Sequence, residues 1–146
     1  MKKMTIILLS LFAFTFCAKA DGDKPIAYSE LPAASRQFVT EHFSKDKVAA
    51  QTKDFELFGS TYNVFFTNGN HIEFYSNGEW KDVECRRSAV PEKIIPQPIK
   101  DFLKNTYENI SVTKIEKERH SWYEVRLSNG LELTFDQNGR VADIDD

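Results

Sequence analysis

Cysteine is almost missing from this chain: the 146 residues hold two, Cys17 and Cys85. Cys17 falls in an amino-terminal leader, so the mature chain keeps one thiol and builds no disulfide framework of its own. Cys85 reads as a half-buried strand cysteine, with pairing between chains or a redox site as the alternatives. Long apolar runs are equally scarce. Only Met4 to Phe16 qualifies, and it is shorter than the ~20 residues a membrane-spanning helix needs.

Positive charge is short as well. With residues 1–20 removed, 16 cationic side chains face 22 acidic ones, a net charge of −6. That balance makes nucleic acid and anionic membrane poor partners. Catalytic signatures are missing too: there is no Gly-rich phosphate loop, no His-Glu-x-x-His and no Gly-x-Ser-x-Gly. Carboxylates are plentiful, yet nothing marks two of them as an acid/base pair in a cleft. The expectation is a non-enzymatic chain without a cofactor. His42, His71 and His120 fall in different elements, and His71 with Glu73 lacks a third ligand, so no metal site is expected. The loop Asp136-Gln137-Asn138-Gly139 lacks the terminal acidic residue of an EF-hand, and a hairpin turn explains it.

What is present begins with export. Lys2 and Lys3 precede the apolar run, and Ala18-Lys19-Ala20 places small residues at a cleavage site before Asp21. This is a cleavable signal peptide over residues 1–20, implying a periplasmic or secreted protein with no membrane span. Phe16 stands before Cys17 where lipoprotein processing wants a small residue, which makes a lipid anchor the lesser reading.

The mature chain then reads as two copies of one unit. Leu31-Pro32, Phe38-Val39 and Val48 match Ile95-Pro96, Phe102-Leu103 and Val112 at a shift of 64. Tyr62, Val64, Phe66, Asn68-Gly69, Phe74, Asn77-Gly78 and Asp82 match Tyr123, Val125, Leu127, Asn129-Gly130, Phe135, Asn138-Gly139 and Asp143 at a shift of 61. The second copy is three residues shorter between its helix and its second strand. The boundaries are residues 21–85 and 96–146, joined by a proline-rich, charged linker, 86–95, with few contacts of its own.

Each copy opens with a helix bearing one apolar stripe, through Leu31, Ala34, Phe38 and Phe43 in the first and Ile95, Ile99, Phe102 and Tyr107 in the second. Alternating runs punctuated by Asn-Gly follow, the signature of hairpins. Register follows from keeping apolar residues on one face. Three-residue turns with glycine third pair Val64 with Ile72, Tyr62 with Phe74, Phe74 with Trp80, Val125 with Leu133, Tyr123 with Phe135, and Phe135 with Val141. The expected fold is α+β: each copy gives a helix over a four-stranded antiparallel meander, and together they make a sheet of about eight strands with helices on one face.

That register sends Phe65, His71, Glu73, Tyr75, Trp122, Arg126 and Glu132 to the other face, with Arg126 opposite Glu132 and Glu73 opposite Lys81. Aromatic rings among charges are the composition of an interaction surface, and a solvated outer face is the plainer alternative. The same register aims Asp82 and Asp143 at the apolar side, opposite Ile72 and Leu133. There they read as protection against edge-to-edge pairing or as caps of a helix, with a secondary ligand site as the alternative.

The segments Phe74-Tyr75-Ser76-Asn77-Gly78-Glu79-Trp80-Lys81-Asp82 and Phe135-Asp136-Gln137-Asn138-Gly139-Arg140-Val141-Ala142-Asp143 resemble the PepSY-like, β-lactamase-inhibitor-like family of small secreted bacterial proteins. The resemblance implies a tandem-repeat α+β protein of the periplasm that presents a sheet face to a partner and restrains peptidases or β-lactamases. The expectation is a protein-binding module, inhibitor-like toward a peptidase or other envelope enzyme, whose partner is an envelope or secreted protein. The alternative is an envelope sensor for a small ligand or metal. Sequence leaves the oligomeric state open.

Overall fold

The computed structural model describes residues 22–118 and 122–146. The expected signal peptide, residues 1–20, and His120 lie outside those residues. A two-residue strand β1 (Lys24–Pro25) and a 3-10 turn (Tyr28–Glu30) lead into helix α1 (Ala33–His42) and strands β2 (Val48–Glu56), β3 (Gly59–Phe66), β4 (His71–Tyr75) and β5 (Trp80–Glu84). Helix α2 (Gln97–Thr106) follows, then β6 (Val112–Lys117), β7 (Tyr123–Leu127), β8 (Glu132–Phe135) and β9 (Val141–Asp145). The strands form one antiparallel sheet in chain order, β1 to β9. The ninth strand beyond the eight expected is β1, which pairs Lys24 with Lys53 and Pro25 with Thr52. Two residues are too few to show an alternating pattern.

All six expected apolar pairs form. The turns explain why. The amide of Gly69 donates to Phe66 O and that of Phe66 to Asn70 O, closing a three-residue loop whose third position, Gly69, has φ 89°. Only glycine takes that conformation cheaply. The amides of Gly130 and Leu127 repeat the pattern with Leu127 O and Leu131 O. At the other end of the sheet, Asp136 accepts from the amides of Asn138 and Arg140, so its carboxylate closes a turn, and those bonds hold it below the usual carboxylate range.

Both helices lie on the same side of the sheet. Phe38 meets Phe74 edge-on at 5.7 Å, Phe43 stacks on Phe66 at 5.4 Å, and Phe102 meets Phe135 edge-on at 5.5 Å. Beneath them Val64, Ile72, Phe74, Val83, Ile115, Val125, Leu133 and Phe135 are fully buried in one cluster. Burying side chains of this size contributes about 1.5–3 kcal/mol each, and this is the main force holding helices to sheet. Ser35 Oγ donates to Gly78 O at 3.2 Å, tying the start of α1 to the β4–β5 turn.

Two expectations need correcting. The segment 86–95 makes more than the few contacts expected of it: Val90, Ile94 and Ile95 are buried in the core, and the Val90 amide donates to Val112 O. Cys85 is fully rather than half buried, and burial pushes its thiol up to about 11.

Candidate partner-binding face

The sheet face away from the helices is built by strand alternation, and bulges decide its composition. Trp80 and Val83 both pack on the helix side, although three residues apart, which a regular strand cannot arrange. A bulge resolves the conflict. Phe74 pairs with Trp80, Glu73 with Asp82 and Ile72 with Val83, leaving Lys81 as the extra residue. Asp82 therefore lies opposite Glu73 on the open face, correcting the expectation that it faces Ile72. Asp143 is corrected for the same reason, since it pairs with Thr134 while Ile144 takes the place opposite Leu133.

The corrected register creates a row of carboxylates. Glu124 pairs with Glu116, Glu116 with Asp82, and Asp82 with Glu73, four acids on four neighbouring strands. Like charges directly opposite destabilise a sheet, so this row needs cations. Lys114 Nζ lies 2.9 Å from Asp82 Oδ2 and 3.2 Å from Glu116 Oε2. Lys81 Nζ lies 3.0 Å from Glu73 Oε1 and 3.9 Å from Glu56 Oε1. Burial works against both ammonium groups, and their carboxylate partners outweigh it, so both titrate above the ordinary lysine range. Asp82 is 9% exposed and its Oδ1 has no hydrogen-bond partner. Burial raises its carboxyl to about 6 against the pull of Lys114.

The adjacent row runs Glu132, Arg126, Lys114, Glu84, His71 and Phe65 across β8 to β3. Arg126 Nη2 and Nε hold Glu132 Oε1 at 2.6 and 2.7 Å, the pair expected from sequence. Glu73, by contrast, meets Lys81 through side chains rather than as its Cα partner. His71 Nε2 lies 2.8 Å from Asn63 Oδ1 and its ring stacks on Phe65 at 4.6 Å. Burial lowers the imidazole below its ordinary value, opposed by Glu73.

The aromatic residues divide into two kinds. Phe65 (37%) and Trp122 (42%) are exposed. Tyr75 is half-buried, with its hydroxyl donating to Lys117 O at 2.6 Å, so it also locks β4 toward β6. Among the described residues no group of three or more His, Cys, Asp and Glu is placed to hold a metal ion, and no helix is long and apolar enough to cross a membrane. On the helix side a cleft of about 840 Å³ between segment 89–95 and α2 mixes Ile95, Leu103 and Tyr107 with Lys100, Asp101 and Lys104. None of the residues expected to act lines it.

Sequence reasoning missed the cationic hub Lys114, which bridges Asp82 and Glu116, because the β5–β6 pairing crosses the segment read as a linker. It also missed Phe55, Leu57 and Phe58 at the β2–β3 connection, exposed by 62%, 97% and 83%. The three-residue difference between the halves was the available signal.

Among the described residues, nine antiparallel strands with two helices on one face and a charged, aromatic-bearing opposite face define an α+β scaffold that presents a sheet. The chain belongs to the family described as "Putative beta-lactamase-inhibitor-like, PepSY-like", whose profile matches residues 60–143. Its fold is similar to a "putative periplasmic protein" of Bacteroides vulgatus (42% identity, TM-score 0.83, covering 87% of this chain and 99% of that one). It is also similar to a "putative calcium-regulated periplasmic protein" of Bacteroides thetaiotaomicron (40% identity, TM-score 0.82, 85% and 97%). A third, again a "putative periplasmic protein" of Bacteroides vulgatus, shares 38% identity with a TM-score of 0.81 over 86% and 100%. Among functionally curated proteins none matches.

Proposed function

We propose that this chain is a periplasmic, non-enzymatic protein-binding module that offers its open sheet face to an envelope or secreted protein, inhibitor-like toward a peptidase or other envelope enzyme. The observation that carries the reading is the exposure of Phe65 and Trp122 on a face where ion pairs such as Lys114–Asp82 and Arg126–Glu132 hold many of the charged side chains. Large rings set among charges make anchors, and Phe65 is already held by its stacking on His71. The leader over residues 1–20 and the periplasmic descriptions of the similar structures support the location. The matched shifts of 64 and 61 support reading residues 21–85 and 96–146 as two copies of one unit joined by 86–95.

The test is crosslinking from native envelope extract followed by titration of the captured protein. Trp122→Ala is expected to weaken binding at least tenfold with the melting temperature nearly unchanged, and Tyr75→Phe serves as the control for the buried hydroxyl. Unfolding of the Trp122 variant, or unchanged affinity, defeats the proposal.

A second reading, an envelope sensor for a small ligand or metal, draws on the description of one similar protein as calcium-regulated and on the acidic row around Asp82. Calcium held ~100-fold above its dissociation constant stabilises a binder by ~2.7 kcal/mol. A thermal shift with calcium, abolished in Asp82→Asn, supports this reading, and no shift up to millimolar calcium removes it.

A further inference from the structure

We propose that the apex of the β2–β3 hairpin, Phe55 with Leu57 and Phe58, is an anchor that enters an apolar pocket bordered by cationic groups on a partner protein. This rests on the protein-binding reading above and adds a second point of contact of different chemistry.

The apex breaks a local rule without a structural gain. Glu56 pairs with Gly59, so Leu57 and Phe58 form a two-residue hairpin connection, a position where asparagine and glycine suit the twist of the strands. Neither residue has a positive φ, and both project almost wholly into solvent. The remaining strain is absorbed by Gly59 at φ 132°. Two large apolar side chains here contribute nothing to the core, and such departures from local consistency mark function. The corresponding stretch of the second half is shorter: Val48 to Tyr62 is three residues longer than Val112 to Tyr123. The extra residues therefore fall in the segment that carries the exposed apolar apex.

The apex is prepared for docking. Lys53 Nζ sits 5.0 Å from the Phe55 ring centroid and 5.4 Å from that of Tyr62, which holds Phe55 to the body of the hairpin. Asp54 and Glu56 flank it, and Glu56 reaches Lys81 on the open face. The occupant follows from these charges. An anionic bilayer surface would repel both carboxylates, and a pocket with a cationic rim complements them. A second copy docking through the apex alone is disfavoured by size, since three side chains fall far short of the ~800 Å² per partner that stable interfaces bury. A protein pocket for the apex, with further area from the open face, satisfies both limits.

The experiment uses the mature chain with a photocrosslinking residue at Leu57, or at exposed Glu108 beyond α2 as control, in native envelope. The protein captured from position 57 is purified and titrated with wild type, Leu57→Ser/Phe58→Ser, Asp54→Lys/Glu56→Lys and Trp122→Ala. Expected are capture from 57 and not from 108, at least 30-fold weaker binding by the Leu57→Ser/Phe58→Ser variant at unchanged melting temperature, and about tenfold weaker binding by the charge-reversed variant, a gap that shrinks with salt. No capture from 57, or unchanged affinity of the Leu57→Ser/Phe58→Ser variant, overturns the proposal. So does apex-dependent flotation with phosphatidylcholine vesicles, or apex-dependent dimerisation in ultracentrifugation. If Trp122→Ala alone weakens binding, the open-face reading stands and the apex proposal fails. If no variant affects binding, both fail.

Discussion

The two halves of the molecule agree wherever the scaffold makes demands and part company where it makes none. Each has a helix starting at a proline, four antiparallel strands after it, glycine-closed three-residue turns and a fully buried phenylalanine under the helix, Phe74 in one and Phe135 in the other. They even share the bulge that lets Trp80 with Val83, and Val141 with Ile144, fall on the helix side. They differ at the first hairpin connection, in the surroundings of Asp82 and Asp143, and in how deeply their ion pairs are set. The lesson is that matched residues report packing, and function is to be sought among the unmatched ones.

The largest effect tests whether the halves are one cooperative unit. β5 pairs with β6 through Asp82–Glu116, Val83–Ile115 and Glu84–Lys114, so the sheet does not stop at the boundary. Removing a buried phenylalanine ring costs about 3–5 kcal/mol. Phe74→Ala and Phe135→Ala are expected to lose similar amounts in urea unfolding, each in a single transition by circular dichroism and tryptophan fluorescence. A separate transition for the unmutated half would make the halves independent and break the comparison.

Next in size is the contrast between the equivalent aspartates. Asp82 is buried with its carboxyl raised to about 6, whereas Asp143 is exposed on the last strand. A carboxyl whose folded value lies above the ~3.9 of the unfolded chain contributes stability that is fully present below pH ~4 and lost as pH rises through 6. The folded state thus carries a charge it resists at neutral pH. Asp82→Asn is expected to be more stable than wild type at pH 8 by about 2–3 kcal/mol, since each unit of displacement is worth about 1.4 kcal/mol. Calorimetry at pH 8, 6 and 4 should show the gap closing on acidification. Asp143→Asn should change stability by less than about 0.5 kcal/mol at every pH. A gap that widens on acidification would reverse the assignment.

Legibility in the sequence followed the same division. The hairpin registers could be read because each Asn-Gly turn and each alternating run constrains the other, and the pairs Val64–Ile72 and Val125–Leu133 satisfy both at once. The bulges were hidden in plain residues: Trp80 and Val83, or Val112 and Ile115, have the spacing of a helix face within a strand, the one signal that a residue is extra. Missing it sent Asp82 to the wrong side and concealed the acidic row. Strand β1 and the β5–β6 pairing were illegible for another reason, since contacts between distant segments leave no local period. The apex residues were in view as an unexplained length difference, but exposure is a property of the folded chain.

The smallest effect separates the ion pairs that each half sets into its open face. Lys81 and Glu73 have side chains 23% and 18% exposed, whereas Arg126 and Glu132 are 42% and 35% exposed. Arg126 has the better geometry, with two nitrogens on one oxygen at 2.6 and 2.7 Å, so a count of hydrogen bonds ranks it stronger. Solvent screening opposes that ranking, because exposed pairs are worth about 0–1 kcal/mol and lose most of it at moderate salt. Double-mutant cycles with alanine at both partners are expected to give about 1 kcal/mol of coupling for Lys81–Glu73 and about 0.3 for Arg126–Glu132. Raising salt to ~1 M should leave most of the first and erase the second. The reverse order would mean that geometry outweighs burial on this face, and the first half would lose its claim to the more tightly held charges.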